Sequence, residues 1–386
     1  MHQDPSTIDI LDRLIAFPTV SRDSNLAMID WIQDFLETRG FSCHRVPDPT
    51  GTKAGLFARI GQGEGGVLLS AHTDVVPVDG QNWTSDPFAL THRDGRYYGR
   101  GTCDMKGFLA ASLAAADRAS RMTLAQPLKL AISYDEEIGC VGIAHMIDRL
   151  APTIGLPRAA IIGEPTEMNI VNAHKGKRVM RAHCTGTAGH SSMAPQFQNA
   201  LHLACDLLQA IRTTQDHLMH HGAHDTDYIT PFSTLHAGKM AGGVALNMVP
   251  ETATLDFELR HLPADDPAAI IETLHQRARD ITDAARATHP RAAIRIEELN
   301  AYPALATPAD APITGWLGGL CDHQQPLGKV DFGTEAGMFA AAGAPSLVCG
   351  PGSIRQAHKP DEYIEATELR RCDALLTRIL GTMTAA

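Results

Sequence analysis

Short apolar runs that end in an acid or a histidine recur along the first part of the chain. GVLLSAHTDVVP ends its run at His72, AAIIGEPT ends at Glu164, and LKLAISYDEEIG ends in the acids Asp135, Glu136 and Glu137. Apolar runs of this length between turn signals are typical of buried strands, and the stretches between them have helical periodicity. Alternating strands and helices predict an α/β domain with a mostly parallel central sheet.

The strand ends are expected to form a charged site. In a parallel sheet the carboxyl ends of the strands meet at one edge, where ligands collect. Three adjacent carboxylates at the tip of a buried strand cannot all remain ionised unless a cation offsets their repulsion. The pattern therefore predicts a cation site at this edge of the sheet.

The pattern of apolar and polar positions changes after His174-Lys175-Gly176. The segments VMRAHC, STLHAGKM and TATLDFELR alternate apolar and polar positions, as strands with one solvated face do. Together with the strand AAIRIEEL and two intervening helices they give the order strand-helix-strand-strand-helix-strand, which is typical of a ferredoxin-like α+β sandwich. We therefore predict an inserted lid and dimerisation domain at 178–299, and a discontinuous catalytic domain at 1–177 and 300–386.

Composition limits the class of protein. The 386 residues carry a net charge of −11, which argues against a nucleic-acid surface. No apolar run approaches the roughly 18 residues that span a membrane, and the N-terminus lacks a signal pattern, so a cytoplasmic protein with no membrane partner is expected. The eight cysteines lack any CxxC spacing, which predicts reduced thiols.

Two further patterns invite a ligand interpretation, and a simpler one is favoured for each. GQGEGG, residues 61–66, matches G-x-G-x-x-G by letter, but a strand follows it where a dinucleotide site needs a helix, so a turn is expected. Histidines also cluster before Pro231, where a solvated helix end is favoured over a metal site: His217, His220, His221 and His224.

Five residues are candidates to hold two divalent ions: His72, Asp104, Glu137, Glu164 and His358. Imidazoles and carboxylates together suit Zn²⁺ and other first-row ions such as Co²⁺ or Mn²⁺ rather than Ca²⁺. Each residue alone also has an ordinary explanation, such as a helix N-cap for Asp104 or a solvated loop position for His358. Three of the five lie at the ends of separate apolar runs, and this joint placement favours the metal interpretation.

Several motifs resemble peptidase family M20, a family of metal-dependent amidohydrolases. They are SAHTDVVP, GRGTCDMKG, YDEEIG, GEPT, GHSS and QAHKPDEY, and they extend over residues 70–363. Within the family, GEPTEMNIVNAHKG, GTEAGMF and GPGSIRQAHKPDEY are most similar to the acetylornithine deacetylases. This resemblance implies hydrolysis of N2-acetyl-L-ornithine in arginine biosynthesis. Another M20 activity, such as succinyl-diaminopimelate desuccinylase or a broad N-acyl-amino-acid amidohydrolase, stays an alternative.

The resemblance implies two metal ions, with Zn²⁺ expected and Co²⁺ a plausible substitute. It implies that Asp104 bridges the ions, that His72 and Glu164 hold one, and that Glu137 and His358 hold the other. The three acids of the triplet then have different roles, because Glu137 is a metal ligand and Asp135 and Glu136 are not.

The resemblance also assigns the proton chemistry. It implies that Glu136 is the general base for the metal-activated water, that Asp74 orients the imidazole of His72, and that His190 of the GHSS motif stabilises the oxyanion. Since this histidine comes from the partner's lid in the family, a homodimer is implied. Asp135 is expected to be structural, and Cys103, where several relatives have a small residue, is expected to pack.

Substrate contacts are implied in the second half of the chain. By resemblance Arg260 binds the substrate α-carboxylate, a task suited to a guanidinium, and Asn247 supplies a further polar contact. Acetylornithine also carries a free δ-ammonium group. We hypothesise that Glu335, in GTEAG, pairs with it.

Overall fold

The computed structural model describes residues 5–321 and 326–384. The chain divides into two compact units. The first comprises Met1–Ala173, Leu305–Lys329 and Thr334–Ala386, and the second comprises His174–Ala304 and Val330–Gly333. The segment predicted as an insertion, 178–299, lies within the second unit, and its assignment as a lid and dimerisation domain stays a prediction.

The part of the first unit that precedes the second unit in the sequence alternates strands and helices. Its helices are α1 (Thr7–Ile15), α2 (Leu26–Glu37), α3 (Lys106–Ala119), α4 (Val141–Met146) and α5 (Leu150–Ile154), with a 3₁₀ turn at Ile147–Arg149. Its strands are β1 (Ser42–Pro47), β2 (Ala54–Ile60), β3 (Val67–His72), β4 (Thr91–Arg93), β5 (Arg96–Tyr98), β6 (Leu128–Ser133), β7 (Ala159–Pro165) and β8 (Val171–His174). Residues 61–66 form bends before β3, as the sequence predicts for GQGEGG.

The second unit has the predicted ferredoxin-like order. Its elements are β9 (Gly176–Thr185), β10 (Gly189–His190), a 3₁₀ helix (Ser191–Gln196), α6 (Ala200–His221), β11 (Thr234–Gly242), β12 (Met248–Val249), β13 (Thr252–His261), α7 (Pro267–Arg286) and β14 (Ala293–Tyr302). The main sheet has the antiparallel order β11-β13-β9-β14. Apolar side chains of α6 and α7 form one core with the inward faces of β9 and β13.

Helix α6 is longer than the sequence predicts. The sequence pattern predicts a helix over roughly Asn199 to Thr213, whereas α6 continues to His221. No glycine or proline interrupts the chain before Gly222, so the polar composition beyond Thr213 does not end the helix. Asn199 caps the start of α6, where its side chain accepts a hydrogen bond from the amide of Leu201 at 2.9 Å.

The chain that follows the second unit in the sequence completes the first unit. Its elements are β15 (Leu305–Ala306), α8 (Pro312–Gly318), β16 (Gly328–Val330), α9 (Ala336–Ala341), β17 (Ser346–Gly350), β18 (Tyr363–Glu365) and α10 (Ala366–Gly381). No helix in the described ranges has both the length and the apolar character that a membrane crossing requires.

The central sheet of the first unit positions the candidate site. Its order is β1-β2-β6-β3-β7-β17-β8-β15, and β6, β3, β7 and β17 run parallel. Every residue of β3, β6 and β7 is buried, because helices cover a parallel sheet on both faces.

Small residues let helix α3 lie close against this sheet. A Cβ atom at Gly163, in β7, would approach the ring of Phe108 to 1.9 Å. The alanines of α3 are buried for the same reason. A side chain at position 163 would therefore push α3 away from the sheet.

Candidate metal centre

The central strands bring the predicted ligands to one edge of the sheet. His72 is the last residue of β3, the acidic triplet follows β6, and Glu164 lies near the end of β7. Since β3 pairs in parallel with β6 on one side and with β7 on the other, these side chains are neighbours.

Asp104 lies between two imidazoles. It precedes α3, and its Oδ1 is 3.1 Å from Nε2 of His72, while its Oδ2 is 3.3 Å from Nε2 of His358. His358 follows β17 in the sequence, and its Nε2 is also 2.9 Å from Oε2 of Glu137. The two oxygens of one carboxylate therefore face two different sets of donors.

Two overlapping groups of donors share His72. Among the described residues, groups of three or more side chains that could hold a metal ion occur only in this cluster: His72 with Glu136 and Glu164, and His72 with Asp104 and Glu137. In each group the ligand atoms lie within 4.8 Å of one another. Glu136 is thus as close to the donors as the predicted ligands are, and distance alone does not separate a base from a ligand.

Burial and crowding destabilise the ionised carboxylates. Burial, together with the charges of Asp104 and Glu136, raises the pKa of Glu164 well above its usual value. Burial and Asp104 raise the pKa of Glu137 to about 7. Burial likewise raises the pKa of Glu136 to about 8, with Glu137 and Asp104 adding to the effect. A cation among these groups would stabilise their charged forms.

The imidazoles respond in the opposite sense. Asp104 and Glu137 raise the pKa of His358 to about 10. For His72, burial lowers the pKa, but Asp104 and Asp74 outweigh burial and leave the pKa well above the usual value. Protonated imidazoles therefore supply part of the positive charge that the carboxylates need when no metal ion is bound.

The residues present fit a pair of divalent cations. Nitrogen and oxygen donors of this kind suit Zn²⁺ and related first-row ions. Glu164 Oε1 is buried and has no hydrogen-bond partner within the described part of the chain, as expected of an oxygen reserved for a metal. Asp104 presents one oxygen to each side, which suits a bridging ligand.

Asp74 connects the histidine to the acidic tip. The Nδ1 of His72 lies 2.9 Å from the backbone carbonyl of Asp74, so in the neutral ring Nδ1 carries the proton and the Nε2 lone pair faces the cluster. The carboxylate of Asp74 accepts from the amides of Glu136 at 3.0 Å and Glu137 at 3.3 Å, and from the Ser21 hydroxyl at 2.7 Å. Asp74 therefore contacts both strand ends, through its carbonyl at His72 and through its carboxylate at the acidic tip.

Sequence reasoning missed several supports of the tip. Lys53 pairs with Asp135 and also donates to the carbonyl of Ser21, which gives Asp135 a structural contact. Cys140 donates its thiol to Oε1 of Glu136 at 3.3 Å. Lys53 and Ser21 lie outside helices and strands and far from the acidic triplet along the chain, so no local pattern connects them with it.

The predicted substrate residues of the second unit have contacts within that unit. Nδ1 of His190 accepts from the backbone amide of Ser192 at 3.2 Å, and the amide of Ser191 donates to the carbonyl of Asn247 at 3.0 Å. His190 and Asn247 are thus neighbours. Arg260, in β13, donates from Nε to Oε1 of Glu258 at 2.9 Å.

Two other predicted residues lie in the first unit. Glu335 is 1% exposed, and the hydroxyl of Ser70 in β3 donates to its Oε2 at 3.2 Å. Cys103 is buried, and its thiol donates to the carbonyl of Ser353 at 3.2 Å, consistent with a packing role.

The histidine cluster of the second unit lies mostly on helix α6. His217 and His221, one turn apart, have ring centroids separated by 4.9 Å, and both are exposed. Neither belongs to a donor group of three or more among the described residues.

Comparison with known proteins identifies the family. Residues 68–382 match the model of peptidase family M20/M25/M40. The chain belongs to this family. It is also 34% identical over 384 residues to the acetylornithine deacetylase of Proteus mirabilis (strain HI4320), with 97% of this chain and 96% of that protein covered. The family resemblance predicted from the motifs is confirmed, and this M20 member is a metal-dependent amidohydrolase.

Solved structures of M20 proteins share the fold. The metallo-carboxypeptidase Sso-CP2 from Sulfolobus solfataricus superposes with a TM-score of 0.76 at 17% identity, covering 97% of this chain and 98% of that one. The YXEP protein of Bacillus subtilis, a dinuclear metal binding peptidase, has a TM-score of 0.68 at 14% identity, with 98% and 97% covered. The predicted fold class is thereby confirmed.

Metal binding is expected to release protons, because His72 and His358 must lose theirs to act as ligands. The neighbouring carboxylates raise the pKa of His358 to about 10. The apparent affinity for Co²⁺ should therefore rise with pH across the neutral range, by about tenfold per pH unit for each proton displaced. Titration calorimetry in buffers of different ionisation enthalpy measures both quantities. An affinity independent of pH, without proton release, would contradict the assignment of these histidines.

Proposed function

We propose that the chain hydrolyses N2-acetyl-L-ornithine to L-ornithine and acetate, an activity that belongs to arginine biosynthesis in the cytoplasm. The observation that carries this proposal is the 34% identity, over nearly the whole chain, to an acetylornithine deacetylase. The geometry supports amide hydrolysis in general, since a carboxylate base lies beside a set of metal donors. The particular acyl amino acid rests on the relative.

The proposed metal ligands form two sets, one for each carboxylate oxygen of Asp104. One ion would be held by His72 and Glu164 and the other by Glu137 and His358, with Asp104 between them. The distances of 3.1 and 3.3 Å from its two oxygens to the imidazoles support this division. Zn²⁺ is the proposed ion, with Co²⁺ as a substitute. When bound, such a pair polarises the scissile carbonyl and makes a water molecule acidic near neutral pH.

Glu136 is the proposed general base. Its Oε1 accepts from the thiol of Cys140, which leaves Oε2 to take the proton of the attacking water and pass it to the leaving amine. Burial raises the pKa of this carboxyl to about 8 in the absence of an ion, and bound cations would lower that pKa and favour the ionised form that accepts a proton. The carboxylate of Asp74 accepts a 3.0 Å hydrogen bond from the backbone amide of Glu136, which helps to orient the base.

His190 is the proposed donor to the oxyanion. Since its Nδ1 accepts from the amide of Ser192, the neutral ring carries its proton on Nε2, where it can be donated. Asn247 lies beside it and is exposed, which suits a further polar contact with substrate. Arg260 is the proposed partner of the α-carboxylate, and Glu258 fixes its Nε.

A homodimer through the second unit is part of this proposal, with His190 acting in the partner's site. Strand β11 lies at one end of the sheet order of the second unit, and an edge strand offers unpaired backbone groups to another chain. Exposed apolar side chains follow this strand, with Val244 at 89% and Leu246 at 101% exposure. Both features favour association with a second copy.

Glu335 is the proposed partner of the substrate δ-ammonium. Burial raises the pKa of its carboxyl to about 7, so its ionised form gains most from a nearby cation. A substrate amine would supply that cation. A substrate whose side chain has the same length but no charge would gain nothing from this carboxylate. Glu335 is therefore a candidate determinant of substrate selectivity.

The division of the acidic triplet predicts different defects for adjacent variants. Glu136→Ala should retain both metal ions and lose turnover by about 10²–10⁴-fold, since general-base catalysis contributes an effect of that size. Glu137→Ala should weaken metal binding at one site. Metal content by mass spectrometry and kcat by steady-state kinetics measure the two effects, with exposed Glu37→Ala as the control. Loss of both ions from Glu136→Ala would show that Glu136 is a ligand.

A substrate panel tests the proposed reaction. The wild-type chain, with Zn²⁺ or Co²⁺, should hydrolyse N2-acetyl-L-ornithine with a higher kcat/KM than N-acetyl-L-norvaline, which lacks the terminal amine. Strong preference for N-succinyl-diaminopimelate would overturn the proposal.

The same panel tests Glu335. Glu335→Gln should lower kcat/KM for acetylornithine by about 10–100-fold, as expected for a charged hydrogen bond, and leave acetylnorvaline nearly unchanged. A variant that kept full discrimination between the two substrates would refute the pairing with the δ-ammonium.

A further inference from the structure

A buried arginine lies below the candidate metal centre. The side chain of Arg100 is 1% exposed, and its Nη1 donates to Oε2 of Glu362 at 2.6 Å. Nη1 also donates to the carbonyl of Lys359 at 3.3 Å, and Nη2 donates to Oε1 of Gln81 at 2.6 Å. All these residues belong to the first unit. The proposed reaction gives Arg100 no chemical role, so its burial calls for another explanation.

One branch of this network ends at Asp104. The other oxygen of Glu362, Oε1, accepts from the backbone amides of Cys103 at 2.9 Å and Asp104 at 3.1 Å. Glu362 is also 1% exposed, and its own carbonyl accepts from the amide of Gly99 at 2.9 Å. A single carboxylate therefore joins the guanidinium to the backbone of the proposed bridging ligand.

The other branch ends at His358. Nε2 of Gln81 donates to the carbonyl of His358 at 3.2 Å, and the next carbonyl, that of Lys359, accepts from Arg100 directly. His358 has a φ of +63° and Asp361 a φ of +54°, a region that residues with a side chain seldom adopt. Such a loop keeps its shape only when its surroundings hold it.

The two branches have different targets. One holds the backbone of Asp104, and the other holds the loop that carries the His358 imidazole, 3.3 Å from Asp104 Oδ2. The His72 imidazole depends instead on β3 and on Asp74. The His358 side therefore depends on both branches, whereas the His72 side shares only Asp104 with the network, so loosening it would move the His358 side most.

We propose that Arg100, with Glu362 and Gln81, is a positioning residue that sets the affinity of the metal ion on the His358 side of Asp104. This inference rests on the proposed two-ion centre. Partners of metal ligands that lie outside the ligand shell change affinity by about 10–100-fold when they are altered. That range is the expected loss of affinity on the His358 side, while the affinity on the His72 side should change much less.

Three variants separate the contacts. Arg100→Lys keeps the charge but loses the fork that reaches Glu362, Lys359 and Gln81 together. Glu362→Gln keeps an acceptor for the Asp104 amide but turns an amide donor towards the guanidinium. Gln81→Ala removes the contact with the His358 carbonyl without leaving a buried charge unpaired, so it remains informative if the other two fold poorly.

A second arginine, close to Arg100 in the sequence, provides a matched control. Arg96, in β5, forms an ion pair with Glu365 at 2.8 Å, and both side chains are about two-fifths exposed, at 40% and 41%. Arg96→Lys makes the same chemical change outside the network. It should leave both metal affinities unchanged.

The test is a titration of each full-length metal-free chain with Co²⁺, followed by calorimetry and by the visible absorption of the bound ion. Wild type should bind two equivalents, and Arg100→Lys and Gln81→Ala should weaken one of them by about 10–100-fold with little change in the other. Thermal unfolding with saturating metal confirms that each variant is folded.

Other outcomes overturn the inference in distinguishable ways. A wild-type chain that binds one equivalent contradicts the two-ion centre itself, and this inference with it. Two equivalents in wild type, with both affinities preserved in Arg100→Lys and Gln81→Ala, contradict the positioning role alone. Equal weakening of both equivalents assigns the network a general structural role and also contradicts the inference.

Discussion

Repulsion among crowded carboxylates is the constraint on which the rest of this structure depends. Asp104, Glu136, Glu137 and Glu164 share one edge of a buried sheet with two imidazoles. Burial and mutual charge raise the pKa of three of these acids, and protonated imidazoles offset only part of the charge. Divalent cations would offset the remainder, which is why the fold can retain so many acids in one place.

The supports of the site are hydrogen bonds between segments that are distant in sequence. Asp74 joins the end of β3 to the acidic tip, Lys53 fixes Asp135, and Glu362 fixes the backbone of Asp104. Asp74 and Glu362 are buried and the Lys53 side chain is only 12% exposed, so packing as well as hydrogen bonding holds their geometry. A site whose ligands come from several loops needs such supports, because loops alone are mobile.

Local patterns explain how much of this could be predicted from the sequence. The runs before His72 and Glu164 predict buried strands, and parallel pairing then places their ends together. His358 has no such signal, because a histidine in a polar loop is ordinary, and only the family motif singled it out. The contacts of Lys53 and Arg100 are long-range pairs, which no periodicity encodes, and the burial of Glu335 depends on tertiary packing against Ser70.

The central claim is that Asp104 lies between two metal ions. Anomalous diffraction from crystals grown with Zn²⁺, recorded on both sides of the zinc edge, tests it most directly. The account predicts two peaks, one on each side of the Asp104 carboxylate, with His72 beside the first and His358 beside the second. A single peak, or peaks that Asp104 does not contact, would contradict it.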